Sequence, residues 1–235
     1  MHAITGIYHF NQSSVPGSHG YSLMKALHDF PEADVVFWQK QNIFLGGAIP
    51  MNFHYDTDGQ VMIVADSNID NKEELCGRLQ VEPDKWGKTI DIELILLAYQ
   101  KWEEETPKYL EGAFSFVVWD DRRQLMFGAR DYSGSKLLYY YLDFERFAFC
   151  TRMVALLKLP YVEKKLNKDW FQTYMNDSII ENGEDESITP YELIKQVPPG
   201  YAFSINEDGM ELFSYRSRRS NSRTRQETNS LHEYI

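Results

Sequence analysis

Phe114-Ser-Phe-Val-Val-Trp-Asp120, the polar turn Asp121-Arg-Arg, and Gln124-Leu-Met-Phe-Gly-Ala-Arg130 read as a β-hairpin. Both runs are dense in aromatic and β-branched residues, and the charged residues between them mark the turn. Leu137–Leu142 and Arg146–Cys150, joined by Asp143-Phe-Glu, extend the same antiparallel sheet. Upstream, strands are predicted at Ile4–Phe10, Asp34–Gln39, Asn42–Gly46 and Gln60–Ala65, the last after the turn signal Asp58-Gly59. Two helices interrupt this β-rich half. Asn71–Leu79 is short and amphipathic behind an Asn cap, and Asp91–Trp102 is apolar on most sides, so it should be sandwiched, with Asp91 as its N-cap. Downstream, helices are predicted at Arg152–Leu159, stopped before Pro160, and at Lys168–Met175. An acidic loop at 182–187, a turn at Pro198-Pro-Gly200 and a final hairpin turning at Asn206–Gly209 complete the pattern.

At 235 residues the chain can bury a substantial core, and no apolar run reaches the roughly 18 to 20 residues that a membrane span needs. The first residues lack the basic region and cleavage site of a secretory signal, so the cytoplasm is the expected compartment. Two cysteines, Cys76 and Cys150, are too few for a disulfide framework and read as core residues. A net charge of -11 argues against a general nucleic-acid binder. The five arginines of 216–225 leave the rest of the chain at -16 (-11 less +5), and that stretch reads as a solvated linker. Leu231–Ile235 looks like the first turn of a helix cut short.

The order of these pieces resembles the class II glutamine amidotransferase domain that opens asparagine synthetases. The family's Met-Cys-Gly-Ile-x-Gly start is matched by Met1-His2-Ala3-Ile4-Thr5-Gly6, and its Asn-Gly-Glu-Ile-Tyr-Asn by Asp66-Ser67-Asn68-Ile69-Asp70-Asn71. Better kept are Asp91-Ile-Glu93, Leu110–Asp120, Ala129-Arg130-Asp131-x-x-Gly134-x-Lys136-x-Leu138-Tyr139-Tyr140 and Pro198-Pro-Gly200. The resemblance implies an α+β, Ntn-hydrolase-like four-layer αββα sandwich over residues 1–215, two antiparallel sheets flanked by helices. Residues 216–235 would then be a basic linker and the truncated start of a synthetase domain of the ATP-pyrophosphatase type.

What the resemblance implies for chemistry is a damaged site. The family's nucleophile is the thiol of the first mature residue, with its own α-amine as base, and His2 supplies no thiol. Histidine's bulk should also hinder removal of Met1. Asp66 and Ser67 stand where the family has its oxyanion hole, and a carboxylate there would repel developing negative charge. Around Leu45–Met51, where the family carries an arginine for the substrate carboxylate, there is none. Asp91 matches the acidic residue that holds the substrate amine, with a helix N-cap as its plainer reading. His2, Asp66, Ser67 and Asp91 therefore outline a vestigial glutamine pocket, whereas Arg130 and Asp131 read as a structural ion pair or as a contact with a following domain.

Other candidates are weaker. Ser133-Gly-Ser-Lys136 lacks the upstream glycine of a phosphate loop. His9, His19, His28, His54 and His232 show no metal-ligand spacing. Thr5, Ser13 and Ser14 could be nucleophiles only after a processing step that nothing marks, and Tyr139–Tyr141 fits sheet packing better than base stacking. The leading expectation is an inactive glutaminase-like domain of an asparagine synthetase-like ligase, with a lasso-peptide cyclase as the specific form. Its partners would be the C-terminal synthetase domain, a precursor peptide and a second copy in a homo-oligomer. ATP and Mg are expected only in the missing domain, with no cofactor or metal in this one. A fragment of a glutamine-hydrolysing asparagine synthetase and a non-catalytic interaction module are the alternatives.

Overall fold

The dense β-forming runs assemble into two six-stranded antiparallel sheets in the computed structural model, which describes residues 3–27, 35–48, 53–175 and 186–215. In chain order the elements are β1 (Ile4–His9), α1 (Gly17–Leu27), β2 (Val35–Lys40), β3 (Ile43–Ala48), β4 (Phe53–Tyr55), β5 (Val61–Ile69), α2 (Lys72–Arg78), α3 (Asp91–Trp102), β6 (Gly112–Asp120), β7 (Leu125–Arg130), β8 (Tyr139–Leu142), β9 (Arg146–Cys150), α4 (Met153–Leu156), α5 (Lys168–Met175), β10 (Ile194–Gln196), β11 (Tyr201–Asn206) and β12 (Gly209–Ser214). Sheet A runs β10-β8-β9-β1-β3-β2 and sheet B runs β12-β11-β7-β6-β5-β4.

Residue alternation along the strands defines the layers. On β5, Val61, Ile63 and Ala65 pack with Leu75 of α2 and Ile92, Ile95 and Tyr99 of α3, whereas Met62 and Val64 pack with Ile4, Tyr8 and Leu45 of sheet A. On β1 the opposite face carries Ile7 against Leu23 and Met24 of α1 and Ala155 and Leu156 of α4. Each sheet therefore has one face on its partner sheet and one under helices, which is the expected αββα sandwich. α3 is buried along most of its surface, as its sequence predicts.

Four expectations change. β8 and β9, expected to extend the sheet of the β6–β7 hairpin, lie in sheet A instead, because β9 pairs with β1 while β6 and β7 belong to sheet B. The helix predicted over Arg152–Leu159 is one turn, Met153–Leu156, followed by i to i+3 bonds from Lys158 to Ala155 and from Leu159 to Leu156 that tighten the chain before Pro160. α3 begins at Asp91 itself, so Ile90 holds the N-cap position and its N–H donates to the Glu93 carboxylate at 3.2 Å. α1, β4 and β10 are absent from the sequence reading. No helix among the described residues is long and apolar enough to cross a membrane. The basic stretch 216–225, Leu231–Ile235 and most of the acidic loop lie outside the described residues.

Candidate functional site

Asp66 belongs to the same face of β5 as Met62 and Val64, and so it points between the sheets. Its Cα partner on β6 is Ser115, and Ser115 pairs in turn with Arg130 on β7. Three buried polar residues thus form one cross-strand row at the end of an otherwise apolar interlayer. Asp66 is 6% exposed, and its Oδ1 accepts from Lys136 Nζ at 2.6 Å. Ser115 Oγ is buried with no partner among the described residues.

Ser67, one residue on, faces the helix layer, so only its backbone could share a site with the Asp66 side chain. Asp91 returns to this strand from α3. Its Oδ2 accepts from the Ile69 N–H at 2.9 Å, and its other oxygen is held by Lys72. The carboxylate expected to cap its own helix instead caps the end of β5, about 10 Å along the strand from Asp66 at roughly 3.3 Å per residue. Asp66, Ser67 and Asp91 are therefore brought to one strand end, and each carboxylate already has an internal lysine.

Arg130 and Asp131 do not form the expected ion pair. Arg130 extends from sheet B to sheet A, donating to Val197 O at 2.7 Å, Gly134 O at 2.7 Å and Gln196 Oε1 at 3.3 Å. Burial lowers its pKa from the ordinary arginine value, with the nearby Asp131 charge opposing that effect. Asp131 turns the other way and organises the loop to Lys136, accepting from the N–H groups of Phe114, Ser135 and Lys136 and from Ser133 Oγ. Burial alone would raise its pKa, but the hydrogen bonds from Ser133, Lys136, Ser135 and Phe114 outweigh burial and hold it below 3.8. Within the stretch that suggested a phosphate loop, the Ser135 and Lys136 amides thus serve an internal carboxylate.

His2 lies outside the described residues, as do Ile49–Met51 of the stretch that lacks arginine. The direction of β1 is nonetheless fixed. Tyr8 rests on Trp119 with ring centroids 5.2 Å apart, and Lys40 meets Asp121 at the same end of the sandwich. The start of β1 therefore points to the opposite end, where Asp66, Ser115 and Arg130 face the interlayer. Two described residues of this region that could suggest a substitute nucleophile, Thr5 and Cys150, are turned away from the interlayer. Thr5 donates its hydroxyl to Phe149 O at 2.8 Å, and Cys150 is fully buried on the helix side, its thiol pushed up to about 11 by desolvation. Ser13 gives its hydroxyl to Asn11 Oδ1 at 2.6 Å on the far side of the strand.

Residues 44–216 match the family described as glutamine amidotransferase domain. The chain belongs to that family. Asparagine synthetase [glutamine-hydrolyzing] 3 of Bacillus subtilis is 29% identical over 174 residues, covering 72% of this chain and 27% of that protein. Amidase chry2 of Gibberella zeae is 27% identical over 149 residues, covering 63% of this chain and 21% of that one. The chain thus spans about a quarter of the length of these curated relatives. Among solved structures, the glutamine phosphoribosylpyrophosphate amidotransferase of B. subtilis superposes with a TM-score of 0.62 over 93% of this chain and 50% of that one, at 13% identity. That likeness establishes the fold as that of the amidotransferase domains.

Within this glutamine amidotransferase domain, sequence reasoning missed the partners and not the acids. Lys136 stands in a motif block already noted, but its contact with Asp66 spans 70 residues and depends on strand register. Ser115 likewise lies within a noted block, Leu110–Asp120, with its role set by register, and Lys72 carried no signal. Among the described residues no three His, Cys, Asp or Glu side chains converge on a possible metal position.

Proposed function

We propose that this amidotransferase domain is the N-terminal part of an asparagine synthetase-like, ATP-dependent amide ligase and that it does not hydrolyse glutamine. The carrying observation is the Asp66–Lys136 pair at the end of the interlayer toward which β1 begins. A working site needs an uncharged donor to stabilise the oxyanion, and this position holds a carboxylate already committed to a lysine. Asp91, which would hold a substrate amine, is likewise taken by Lys72 and the Ile69 amide. The sequence adds His2 for the nucleophile and the lack of arginine at 45–51.

The specific form favoured is a lasso-peptide cyclase, which adenylates a side-chain carboxylate and joins it to a peptide α-amine. Such a ligase takes its amine from the peptide and has no use for ammonia, which makes loss of the glutaminase chemically coherent. ATP and Mg then belong to the synthetase domain, and a precursor peptide is the substrate partner. The names of the asparagine synthetase relatives favour the second reading, a glutamine-hydrolysing enzyme. Ammonia release from glutamine, together with covalent labelling by a glutamine analogue, separates the two. The first reading expects neither, and turnover above buffer would establish the second. A synthetase pyrophosphate loop in the downstream reading frame would support a ligase, whereas a stop codon after Ile235 would favour an interaction module.

A further inference from the structure

Away from the candidate site, β1 ends in a second buried polar cluster. His9 is 5% exposed on the helix-facing side of sheet A, opposite Arg146 of β9. α1 brings His19 to the same cluster, and the segment after α4 brings Tyr161, whose ring lies 5.4 Å from His19 and 4.3 Å from the Arg146 guanidinium carbon. His9 Nε2, His19 Nδ1 and the Tyr161 hydroxyl are buried without hydrogen-bond partners among the described residues. Buried polar atoms are normally paired, so three unpaired ones in one cluster call for a physical reason.

The hydrogen bonds around His9 settle its neutral form. Ser13 Oγ gives its proton to Asn11 Oδ1 at 2.6 Å, and so it can only accept from His9 Nδ1, 3.0 Å away, as can Ser13 O at 3.2 Å. The neutral ring therefore carries its proton on Nδ1 and buries a bare Nε2. A second proton would have to sit on Nε2, with no acceptor for it among the described residues. The carboxylates nearby are committed. Asp143 Oδ1 accepts from the N–H groups of Glu145 and Arg146, and Oδ2 accepts from Tyr141 Oη and contacts Arg146 Nε. Glu145 is held by Arg146 Nη2 at 3.0 Å.

We propose that His9 and His19, packed beside the permanent charge of Arg146, form an acid-operated latch that loosens α1 from sheet A when the two imidazoles are protonated. The groups packed around the pair are Ser13 and Asn11 from the loop after β1, Arg146 from β9, Asp143 and Glu145 from the β8–β9 turn, Tyr141 from β8, and Tyr161. Among the described residues, Asp143 and the Ser13 carbonyl favour the charged His9, and they are outweighed. Burial is the largest influence lowering both rings from 6.5, and Arg146 lowers both further. The open form, with ordinary histidines, binds protons that the closed form refuses, so closure weakens as pH falls through 6.5 and below. Opening of α1 then rises by up to about tenfold per pH unit for each imidazole.

The test is amide hydrogen exchange of the chain between pH 7.5 and 5.5, corrected for intrinsic rates, comparing α1 with α3. Protection of α1 should fall by up to about 100-fold per pH unit below 6.5 while α3 stays level. The His9→Gln/His19→Gln variant should lose this dependence. An unchanged α1, or the same loss in the variant, overturns the latch. Imidazole titration of the unmodified protein by NMR stands independently of whether His9→Gln folds: both rings should titrate below 6.5, and either one at or above that value overturns the proposal.

Discussion

Lys136 Nζ lies 2.6 Å from Asp66 Oδ1, joining the loop after β7 to the inward face of β5. The contact amends the simplest view of Asp66 as a bare charge that repels an oxyanion. Its carboxylate is 8% exposed and neutralised from within, while the lysine is 26% exposed and closes over it. Neutralisation does not turn Asp66 into an oxyanion donor: its Oδ1 accepts from Lys136 Nζ, and a carboxylate has no proton to give. The pair is a structural tie between β5 and the loop organised by Asp131.

That tie predicts an asymmetric mutational cycle. Lys136→Met leaves a buried carboxylate unpaired and is expected to cost about 2 to 4 kcal/mol in urea unfolding. Asp66→Asn should cost less, since an amide leaves the lysine free to reach solvent. Asp66→Asn/Lys136→Met should recover much of the Lys136→Met loss. A double variant as unstable as the sum of the singles would show that the two residues are not coupled.

Asp131 predicts a pH dependence. Its pKa is held below 3.8 by four donors against the effect of burial. A depressed folded pKa means that the unfolded chain takes up the proton first. The stabilisation is complete above the unfolded value of about 3.9 and is lost as pH falls through the folded value. Asp131→Asn should therefore cost about 1 to 3 kcal/mol at pH 7 and much less at pH 2.5. Urea midpoints at the two pH values measure this, and a pH-independent difference would remove the carboxylate from the account.

The unequal legibility of these features has a physical cause. The 114–130 hairpin was readable because its aromatic and β-branched runs satisfy local propensity and burial together. α1, Gly-Ser-His-Gly-Tyr-Ser-Leu-Met-Lys-Ala-Leu, has two glycines and little intrinsic helicity. Its helix is a tertiary product, with Gly20 lying so close to the Phe44 ring that a side chain would not fit. β4 is a three-residue edge strand held by β5. Asp91 was legible as a helix start because carboxylates favour the first turn, yet its bond to Ile69 crosses between elements. The resemblance to amidotransferases located Asp66 and Asp91, but their lysines follow from register and packing.

Gly112 gives a steric prediction at the end of β5. Its φ is +117°, and an added Cβ would lie 3.0 Å from Asp70 N and 3.2 Å from Ile69 Cα, besides meeting Asn68 O. Gly59 also has a positive φ, +65°, but faces open space. Gly112→Ala should cost about 2 to 4 kcal/mol and Gly59→Ala about 1 kcal/mol, because only the first adds a backbone clash to the left-handed strain. Equal losses in thermal or urea unfolding would mean that close approach at β5 is unimportant.

The last prediction concerns restored chemistry. Intact mass of the recombinant chain should show Met1 retained, because histidine at position 2 is too bulky for efficient removal. His2→Cys should permit that removal and supply a thiol, addressing a defect of the order of a million-fold. It leaves Asp66 in place, and one missing oxyanion donor costs about 100- to 1,000-fold. His2→Cys alone is therefore expected to release no ammonia above background. His2→Cys/Asp66→Asn should release it slowly and without saturation, since the sequence has no arginine at 45–51 to bind the substrate carboxylate. Saturable turnover by His2→Cys alone would show that the Asp66–Lys136 pair is no obstacle. Saturation by the double variant would mean that another group binds glutamine.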